Sequence, residues 1–357
     1  MSVSRISALR KKIKSENLDG LIVNHLDHIR YLSGFTGSSG LLIVMQNAAH
    51  FLTDSRYTIQ AAKQVKGAKV HVVPSEPIGS LNGFKWLQRK NLKLGIDSEH
   101  MSVAKRKSLQ KKVPAALLTE SESLLADLGW IKDSAELKNI IKACEIADKA
   151  FARILQLVKP GVSERELAAE LEYQMLMLGS EKPAFESIVA SGYRSAMPHG
   201  LASAKKVKKG DFITFDFGAT VNGYVSDMTR TVVMGKASSR QKRIYNIVLR
   251  AQKAGVRKIR AGIAAKLVDK ACRDIIARAG YSRNFGHGTG HGIGYYVHVG
   301  PSLSPKSDDS LSVNQVVTIE PGIYISGWGG VRIEDDVIVT RKGGKVLNKT
   351  SKNLLEL

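Results

Sequence analysis

Cysteine and long apolar runs are both scarce in this sequence. Its 357 residues include two cysteines, Cys144 and Cys272, which lie far apart in stretches of helical character. Their spacing excludes a disulfide framework and favours buried, reduced thiols. No apolar run approaches the roughly 18 residues of a membrane span, and the basic start, Met1–Lys14, lacks the apolar core of a signal peptide. We therefore expect a soluble, cytoplasmic protein with no membrane partner.

Acidic residues are also few, because 54 lysines and arginines face 32 aspartates and glutamates, a net charge of +22. Such an excess raises nucleic acid as a partner. However, aromatic residues make up 6% of the chain and do not alternate with the basic clusters, as a base-stacking platform would require. We expect a solvated basic surface rather than a nucleic-acid partner.

The length suits two domains, which we place at residues 1–130 and 131–357. Strands and helices alternate in the first, which predicts an α/β domain with a largely parallel, covered sheet. The predicted helices of this domain are Tyr57–Val65 and Pro77–Lys90, and its predicted strands are Gly20–Asn24, Gly40–Met45, Ala49–Thr53, Lys69–Val73 and Lys93–Asp97.

The second domain reads as α+β. A long helical pattern begins at Ser134, and Ser163 with Glu166 forms a capping box that opens the next helix. Further helices are predicted at Ser239–Ile259 and Ala265–Gly280, and two similar hairpins among the strands suggest an internal pseudo-twofold symmetry.

The first hairpin is centred on Asn222-Gly223, the strongest short hairpin signal. Its register places Asp216 opposite Thr229, so that Asp216 and Asp227 lie diagonally on one face. An acidic pair on a largely apolar hairpin is costly unless a cation neutralises it. Taken alone, the pair could equally face solvent.

The second hairpin repeats the arrangement around Gly327. Glu320 and Glu334 are equally far from that glycine, so a symmetric hairpin places them opposite each other. Pro321 cannot donate to the ladder, and a bulge there would shift the register. Two acidic pairs on two hairpins favour a site over surface charge.

Histidines supply the third component of this site. His199 precedes the first hairpin, and His287, His291 and His298 fall within twelve residues of glycine-rich chain. Imidazole and carboxylate together suit Mn, Co, Fe or Zn, and four carboxylates would balance two divalent ions.

These residues, in this order, resemble the pita-bread metallopeptidases, the family of methionine aminopeptidase, aminopeptidase P and prolidase. The family's metal-binding set maps onto five residues of this chain: Asp216, Asp227, His291, Glu320 and Glu334. The first domain resembles the creatinase-type N-terminal domain of the Xaa-Pro peptidases in the segments Arg30–Gly40 and Thr53–Tyr57. The resemblance implies an α/β creatinase-like domain followed by an α+β pita-bread catalytic domain.

The resemblance also implies roles for individual residues. Glu320 would be both ligand and general base, and His199 and His298 would be catalytic and bind substrate. His287 would line a proline pocket, and Arg332 would also contact substrate. Two divalent ions are expected, Mn first and Co, Zn or Fe as alternatives, together with proline-containing peptides as substrates and a homodimer as the assembly.

Two members of the family fit best, aminopeptidase P and prolidase. Prolidases commonly bind the substrate carboxylate with an arginine after the Val-His motif, but residues 299–312 contain no arginine and Ser302 stands near the expected place. We therefore expect an Xaa-Pro aminopeptidase, with an Xaa-Pro dipeptidase (prolidase) as the alternative. The sequence also departs from the family's Val-His-Glu in having Val299 after His298. More remote alternatives are a non-catalytic pita-bread protein that binds nucleic acid or histones, and a metal-binding scaffold without activity.

Overall fold

The structure is a computed structural model that describes residues 2–121 and 123–357. Met1, where the predicted first domain begins, and Glu122 lie outside the described residues. The chain divides into two compact units, Met1–Gly129 and Trp130–Leu357, called here the N-terminal and C-terminal units.

The N-terminal unit is an α/β unit with one sheet. Its α-helices are α1 (Ser2–Ser15), α2 (Leu26–Ser33), α3 (Thr58–Gln64), α4 (Val103–Lys112) and α5 (Ser123–Ala126). Its strands are β1 (Gly20–Val23), β2 (Leu41–Met45), β3 (Ala49–Asp54), β4 (Lys69–Val73), β5 (Lys93–Ile96) and β6 (Leu117–Glu120).

The sheet has the order β4-β3-β2-β1-β5-β6. Strand β2 runs antiparallel to both of its neighbours, whereas the pairs β3–β4, β1–β5 and β5–β6 are parallel. The sheet is mixed: three of its five pairings are parallel, as predicted, and the two that involve β2 are antiparallel. Ile22, Ile43 and Leu94 are fully buried in the core beside it.

The predicted helix Pro77–Lys90 is wrong. The segment forms two short 3₁₀ helices instead, Pro77–Gly83 and Lys85–Leu87. Two glycines, a serine and an asparagine within Gly79–Gly83 have poor intrinsic helix preference, and 3₁₀ geometry suits such short pieces.

The C-terminal unit has four α-helices, α6 (Ser134–Ile154), α7 (Glu164–Met177), α8 (Ser239–Lys258) and α9 (Ala265–Arg278). The capping box predicted at Ser163 and Glu166 is confirmed. The strands are β7 (Ile188–Ser191), β8 (Phe212–Phe217), β9 (Thr220–Val221), β10 (Tyr224–Val225), β11 (Met228–Val233), β12 (Gly290–Gly292), β13 (Val299–Leu303), β14 (Val316–Ile319), β15 (Gly322–Ile325), β16 (Gly329–Arg332), β17 (Asp335–Val339) and β18 (Gly344–Val346).

This unit repeats one arrangement twice. Helices α6 and α7 share a hydrophobic core with strands β8 and β11, and helices α8 and α9 share another with strands β14 and β17. In each half two helices therefore precede and cover one long hairpin. This repetition agrees with the pseudo-twofold symmetry expected from the sequence.

Cys144 on α6 and Cys272 on α9 are free and buried, as predicted. Across residues 2–121 and 123–357, no helix combines the length and the apolar character that crossing a membrane requires.

Candidate metal centre

The first hairpin carries the two aspartates. Strands β8 and β11 pair antiparallel with Asp216 opposite Thr229, as predicted, and the turn residues Asn222 and Gly223 both have positive φ, 50° and 80°. Nearer the turn, the hairpin continues as the short pair β9–β10. The strand pairing is interrupted between the two pairs of strands, and Asp227 lies in this interruption. A Cβ on Gly218 would lie 1.8 Å from the carbonyl oxygen of Ser226, so only glycine fits this close approach.

The second hairpin carries the two glutamates. Ile319 pairs with Asp335 on one side of an interruption, and Gly322 pairs with Arg332 on the other, in one continuous register. Glu320 and Glu334 therefore face each other in the gap. The register shift considered for Pro321 does not occur.

His291 approaches both hairpins from strand β12. A Cβ on the preceding Gly290 would lie 2.0 Å from the carbonyl oxygen of Thr318, so the glycine lets β12 pack closely against β14. The Nε2 atom of His291 lies 3.4 Å from Oε1 of Glu320 and 3.7 Å from Oδ2 of Asp227. Ligand atoms of Asp227, His291 and Glu334 all lie within 4.8 Å of one another, close enough to share a metal ion.

Two of the four carboxylates, Asp216 and Glu334, are held by groups of the opposite hairpin. Arg332 of the second hairpin donates from Nη2 to Oδ2 of Asp216 at 2.5 Å. Thr229 of the first donates from Oγ1 to Oε2 of Glu334 at 2.6 Å. The backbone N–H of Asp227 donates to Oδ2 of Asp336 at 2.9 Å. The two hairpins thus fix each other's side chains.

The charge of this centre is not balanced by the protein. Burial, and after it the neighbouring carboxylates, raises the pKa of Asp227 and of Glu334 well above their usual range. Burial raises the pKa of Glu320 to about 8, against the opposing effect of Arg332. The Oδ1 atoms of Asp216 and Asp227 are buried and have no hydrogen-bond partner.

His291 is in the form that binds a metal. Burial lowers its pKa to about 4, so its imidazole is neutral near pH 7. Buried carboxylate oxygens without partners, beside a neutral imidazole, are suitable donors for a divalent transition-metal ion. The residues of this centre therefore fit such a metal.

The centre opens into a cavity of about 500 Å³. Its walls include all the other residues predicted from the sequence to contact substrate: His199, His287, His298 and Arg332. Ser302 also lines it. The rings of His291 and His298 lie 4.3 Å apart, and burial lowers the pKa of His298.

Tyr324, which the sequence analysis did not single out, links two of these residues. Its hydroxyl accepts from Nη1 of Arg332 at 2.9 Å and lies 2.9 Å from Nε2 of His287. Since Nδ1 of His287 faces the carbonyl of Gly288 at 2.8 Å, Nδ1 carries the proton and Nε2 accepts from the tyrosine. The sequence signal for Tyr324 is its position two residues after Gly322, on the same face of strand β15, which begins next to the metal centre.

Four of the five N–H donors of Arg332 are engaged within the protein. Besides Asp216 and Tyr324, it donates from Nε to Thr229 at 3.0 Å and from Nη1 to the carbonyl of Pro198 at 3.2 Å. This places Arg332 as the partner of Asp216, and its predicted contact with substrate stays a prediction.

Comparison with known proteins identifies the class. Residues 138–341 match metallopeptidase family M24, and residues 5–128 match the creatinase/prolidase N-terminal domain. The first match covers more than half of the chain. The chain therefore belongs to metallopeptidase family M24, whose members use divalent metals.

Individual relatives extend over almost the whole chain. The Xaa-Pro dipeptidase of Pyrococcus horikoshii is 38% identical over 353 residues, which are 98% of each chain. The solved structure of the Xaa-Pro dipeptidase from Bacillus anthracis superposes with a TM-score of 0.95 at 41% identity and covers both chains entirely. That of the X-Pro aminopeptidase from Thermotoga maritima gives 0.89 at 36% identity, over 96% of this chain and all of the other. The predicted family and fold are confirmed.

Proposed function

We propose that this protein is a metal-dependent Xaa-Pro peptidase that acts mainly as a dipeptidase. Four carboxylates and one imidazole gather at a cavity of about 500 Å³, which supports this proposal. A cavity of this size encloses a small ligand. The relatives named above favour the dipeptidase alternative over the aminopeptidase that the sequence analysis preferred.

The five proposed ligands are Asp216, Asp227, His291, Glu320 and Glu334. They would hold two divalent ions, Mn first, with Co, Zn or Fe as alternatives, because four carboxylates balance the charge of two such ions. When bound in sites of this kind, divalent ions lower the pKa of a water and polarise the scissile carbonyl.

Glu320 is the proposed general base. It would take a proton from the attacking water and deliver it to the proline nitrogen as the peptide bond breaks. Glu320 suits this role because its hydrogen bond from the Oγ1 of Thr318 is long, 3.2 Å, whereas Thr229 holds Glu334 at 2.6 Å.

His199 and His298 are proposed to donate hydrogen bonds to the substrate backbone and to the developing oxyanion. His287, fixed by Tyr324, would line the proline pocket. A proline amide offers no N–H, so a pocket shaped for the ring is the selective element.

A second candidate, the Xaa-Pro aminopeptidase, is favoured by one specific observation. Ser302 lines the cavity where an arginine would bind a dipeptide's carboxylate, and Lys306 of the same loop is exposed and is not among the lining residues. Without such an anchor the preference for a dipeptide would be small.

Substrate length separates the two candidates. We expect higher kcat/KM for Ala-Pro than for Ala-Pro-Ala at equal metal loading, with little cleavage of Ala-Ala as the control for proline. A tripeptide preferred by tenfold or more would make the protein an aminopeptidase. Absence of bound metal, together with no activity on adding Mn or Co, would reject the peptidase and favour the non-catalytic alternative.

We also propose a homodimer and a cytoplasmic location. The free, buried state of both cysteines supports a reducing compartment. Light scattering coupled to size-exclusion chromatography measures the assembly directly, and a monomeric mass would reject the dimer.

A further inference from the structure

A second group of metal-ligating side chains lies in the N-terminal unit. It consists of His25, His28, Asp97 and His100, called here the histidine cluster. Ligand atoms of His28, Asp97 and His100 lie within 4.8 Å of one another. His25 is not part of that group of three, but its ring packs against that of His100. The family match and the proposed peptidase function assign no role to these residues.

The fold brings the two halves of the cluster together. His25 follows strand β1 after one residue and is the N-cap of helix α2, which contains His28. Asp97 directly follows strand β5, and His100 lies one turn further on. Because β1 and β5 are parallel neighbours, their carboxyl ends meet at one edge of the sheet. The side chain of Asn24 joins the segments that follow the two strands, because it donates a hydrogen bond to the carbonyl of His100 at 3.0 Å.

This edge of the sheet is also where a ligand site is expected. Strand β1 lies between two neighbours in the sheet. Antiparallel β2, the next strand along the chain, is on one side of it, and parallel β5 is on the other side. In open α/β sheets, ligands bind outside the carboxyl ends of strands at such a point of divergence.

The distances within the cluster suit a metal ion. Nδ1 of His28 lies 2.7 Å from Oδ2 of Asp97, and Nδ1 of His100 lies 3.1 Å from Oδ1 of the same carboxylate. Bonds of about 2.0–2.1 Å to a tetrahedral ion separate its ligand atoms by roughly 3.3 Å. The two imidazole nitrogens and the carboxylate therefore need to move little to enclose an ion.

A hydrogen-bonded clamp between α2 and β5 would require one histidine on Asp97. Both His28 and His100 contact this carboxylate, and the ring centroids of His25 and His100 lie 4.1 Å apart. A metal ion would explain why several donor side chains gather around this one carboxylate.

We propose that the histidine cluster binds one divalent transition-metal ion of the zinc or nickel class. His28, His100 and Asp97 bind it directly, and His25 is the fourth ligand. Three imidazoles and one carboxylate form a donor set typical of such ions. The ion would lock helix α2 to the end of strand β5. This site does not depend on the proposed peptidase activity.

The N-terminal unit also contains a matched control. Nδ1 of His50 on β3 lies 3.0 Å from Nε2 of His71 on β4. Among the described residues, this pair is not part of any group of three or more ligating side chains. Two imidazoles without a carboxylate test whether paired histidines alone bind the ion.

The test uses the full chain without an affinity tag, in a background of Asp227→Asn and Glu334→Gln that weakens the centre in the C-terminal unit. After dialysis against a chelator, the protein is titrated with zinc by calorimetry, and bound zinc is counted by mass spectrometry. We expect one zinc ion per chain. Adding His100→Gln should lower the affinity for zinc at least about tenfold, because losing a direct ligand costs no less than losing a residue that only orients a ligand. Adding His71→Gln should leave the affinity for zinc unchanged.

Two further measurements guard against misfolding of the variants. Cobalt bound to the intact cluster should show the visible absorption of a tetrahedral ion, and His28→Asn should remove that absorption while circular dichroism shows a folded chain. No zinc bound to the background protein would overturn the proposal. So would zinc binding that survives His100→Gln and His28→Asn, or that is lost with His71→Gln.

Discussion

The two hairpins of the C-terminal unit each contribute two proposed metal-binding carboxylates, but they present them differently. The first uses aspartates at diagonal positions, one on strand β8 and one in the interruption before β11. The second uses glutamates that face each other in its own interruption. Both hairpins also hold the side chains of the other: Arg332 holds Asp216, and Thr229 holds Glu334. Glu320 alone takes its side-chain hydrogen bond from its own strand, from Thr318. The partner hairpin therefore fixes one carboxylate of each pair, Asp216 and Glu334, and it does not fix the glutamate assigned as the base.

Removing a ligand from the first hairpin should have the largest effect. We expect Asp227→Ala to abolish turnover and to lower metal content, because the remaining carboxylates then repel each other without a bound cation. Metal stoichiometry and thermal unfolding should be measured together. Asp308→Ala is the control, since that aspartate is exposed on the same unit. Full activity of Asp227→Ala would refute the ligand assignment.

The glutamates of the second hairpin should separate by role. Glu320→Gln is expected to lower kcat by about 10² or more and keep much of the metal, because the amide cannot accept the proton. Glu334→Gln should lose metal and activity together. Equal loss of metal in both variants would show that the two glutamates are equivalent and that the base lies elsewhere.

Arg332→Lys tests the bonds between the hairpins. A lysine is a single point charge that cannot bond Asp216, Thr229 and Tyr324 together. We expect metal affinity to fall about 10- to 100-fold, as for residues that position ligands, with kcat recovering at saturating metal.

The sequence analysis makes a different prediction for Arg332, a contact with substrate. An increase in KM at unchanged metal affinity would support that role instead. Both quantities can be measured on the same preparation.

The smallest effect concerns stability, in a variant that leaves both hairpins unchanged. Burial lowers the pKa of Lys132 to about 7 from its ordinary 10.5. Between these values the unfolded chain binds more protons than the folded one, so this residue makes stability rise with pH. Wild type should therefore gain stability relative to Lys132→Met as pH rises from about 7 to 10, measured by urea unfolding. A difference that is constant across this range would contradict the shifted pKa.

The positions of the four carboxylates in the two hairpins could be predicted because turn residues fix strand register. Asn222-Gly223 set Asp216 opposite Thr229, and the glycines around Gly327 set Glu320 opposite Glu334. The groups that hold the ligands could not be predicted, because they depend on how two hairpins pack against each other. Tyr324 is the clearest example.

Two other expectations failed or lost support for physical reasons. The helix predicted at Pro77–Lys90 is replaced by two shorter 3₁₀ helices, because the glycines within the segment disfavour a longer helix. The preference for an aminopeptidase relied on a missing arginine in residues 299–312. One loop does not determine which cation binds a carboxylate, and the similarity to named dipeptidases outweighs it.

The bonds between hairpins have a consequence for folding. A chain in which one hairpin has formed has Asp216 without Arg332, or Glu334 without Thr229, so an incomplete unit offers no ordered ligand set. A divalent ion held by the proposed ligands would therefore bind only the fully assembled unit. At a free concentration 100 times its dissociation constant, such a ligand stabilises the native state by about 2.7 kcal/mol. Added metal should then protect segments of both hairpins from proteolysis in parallel, because neither half can open without releasing the ion.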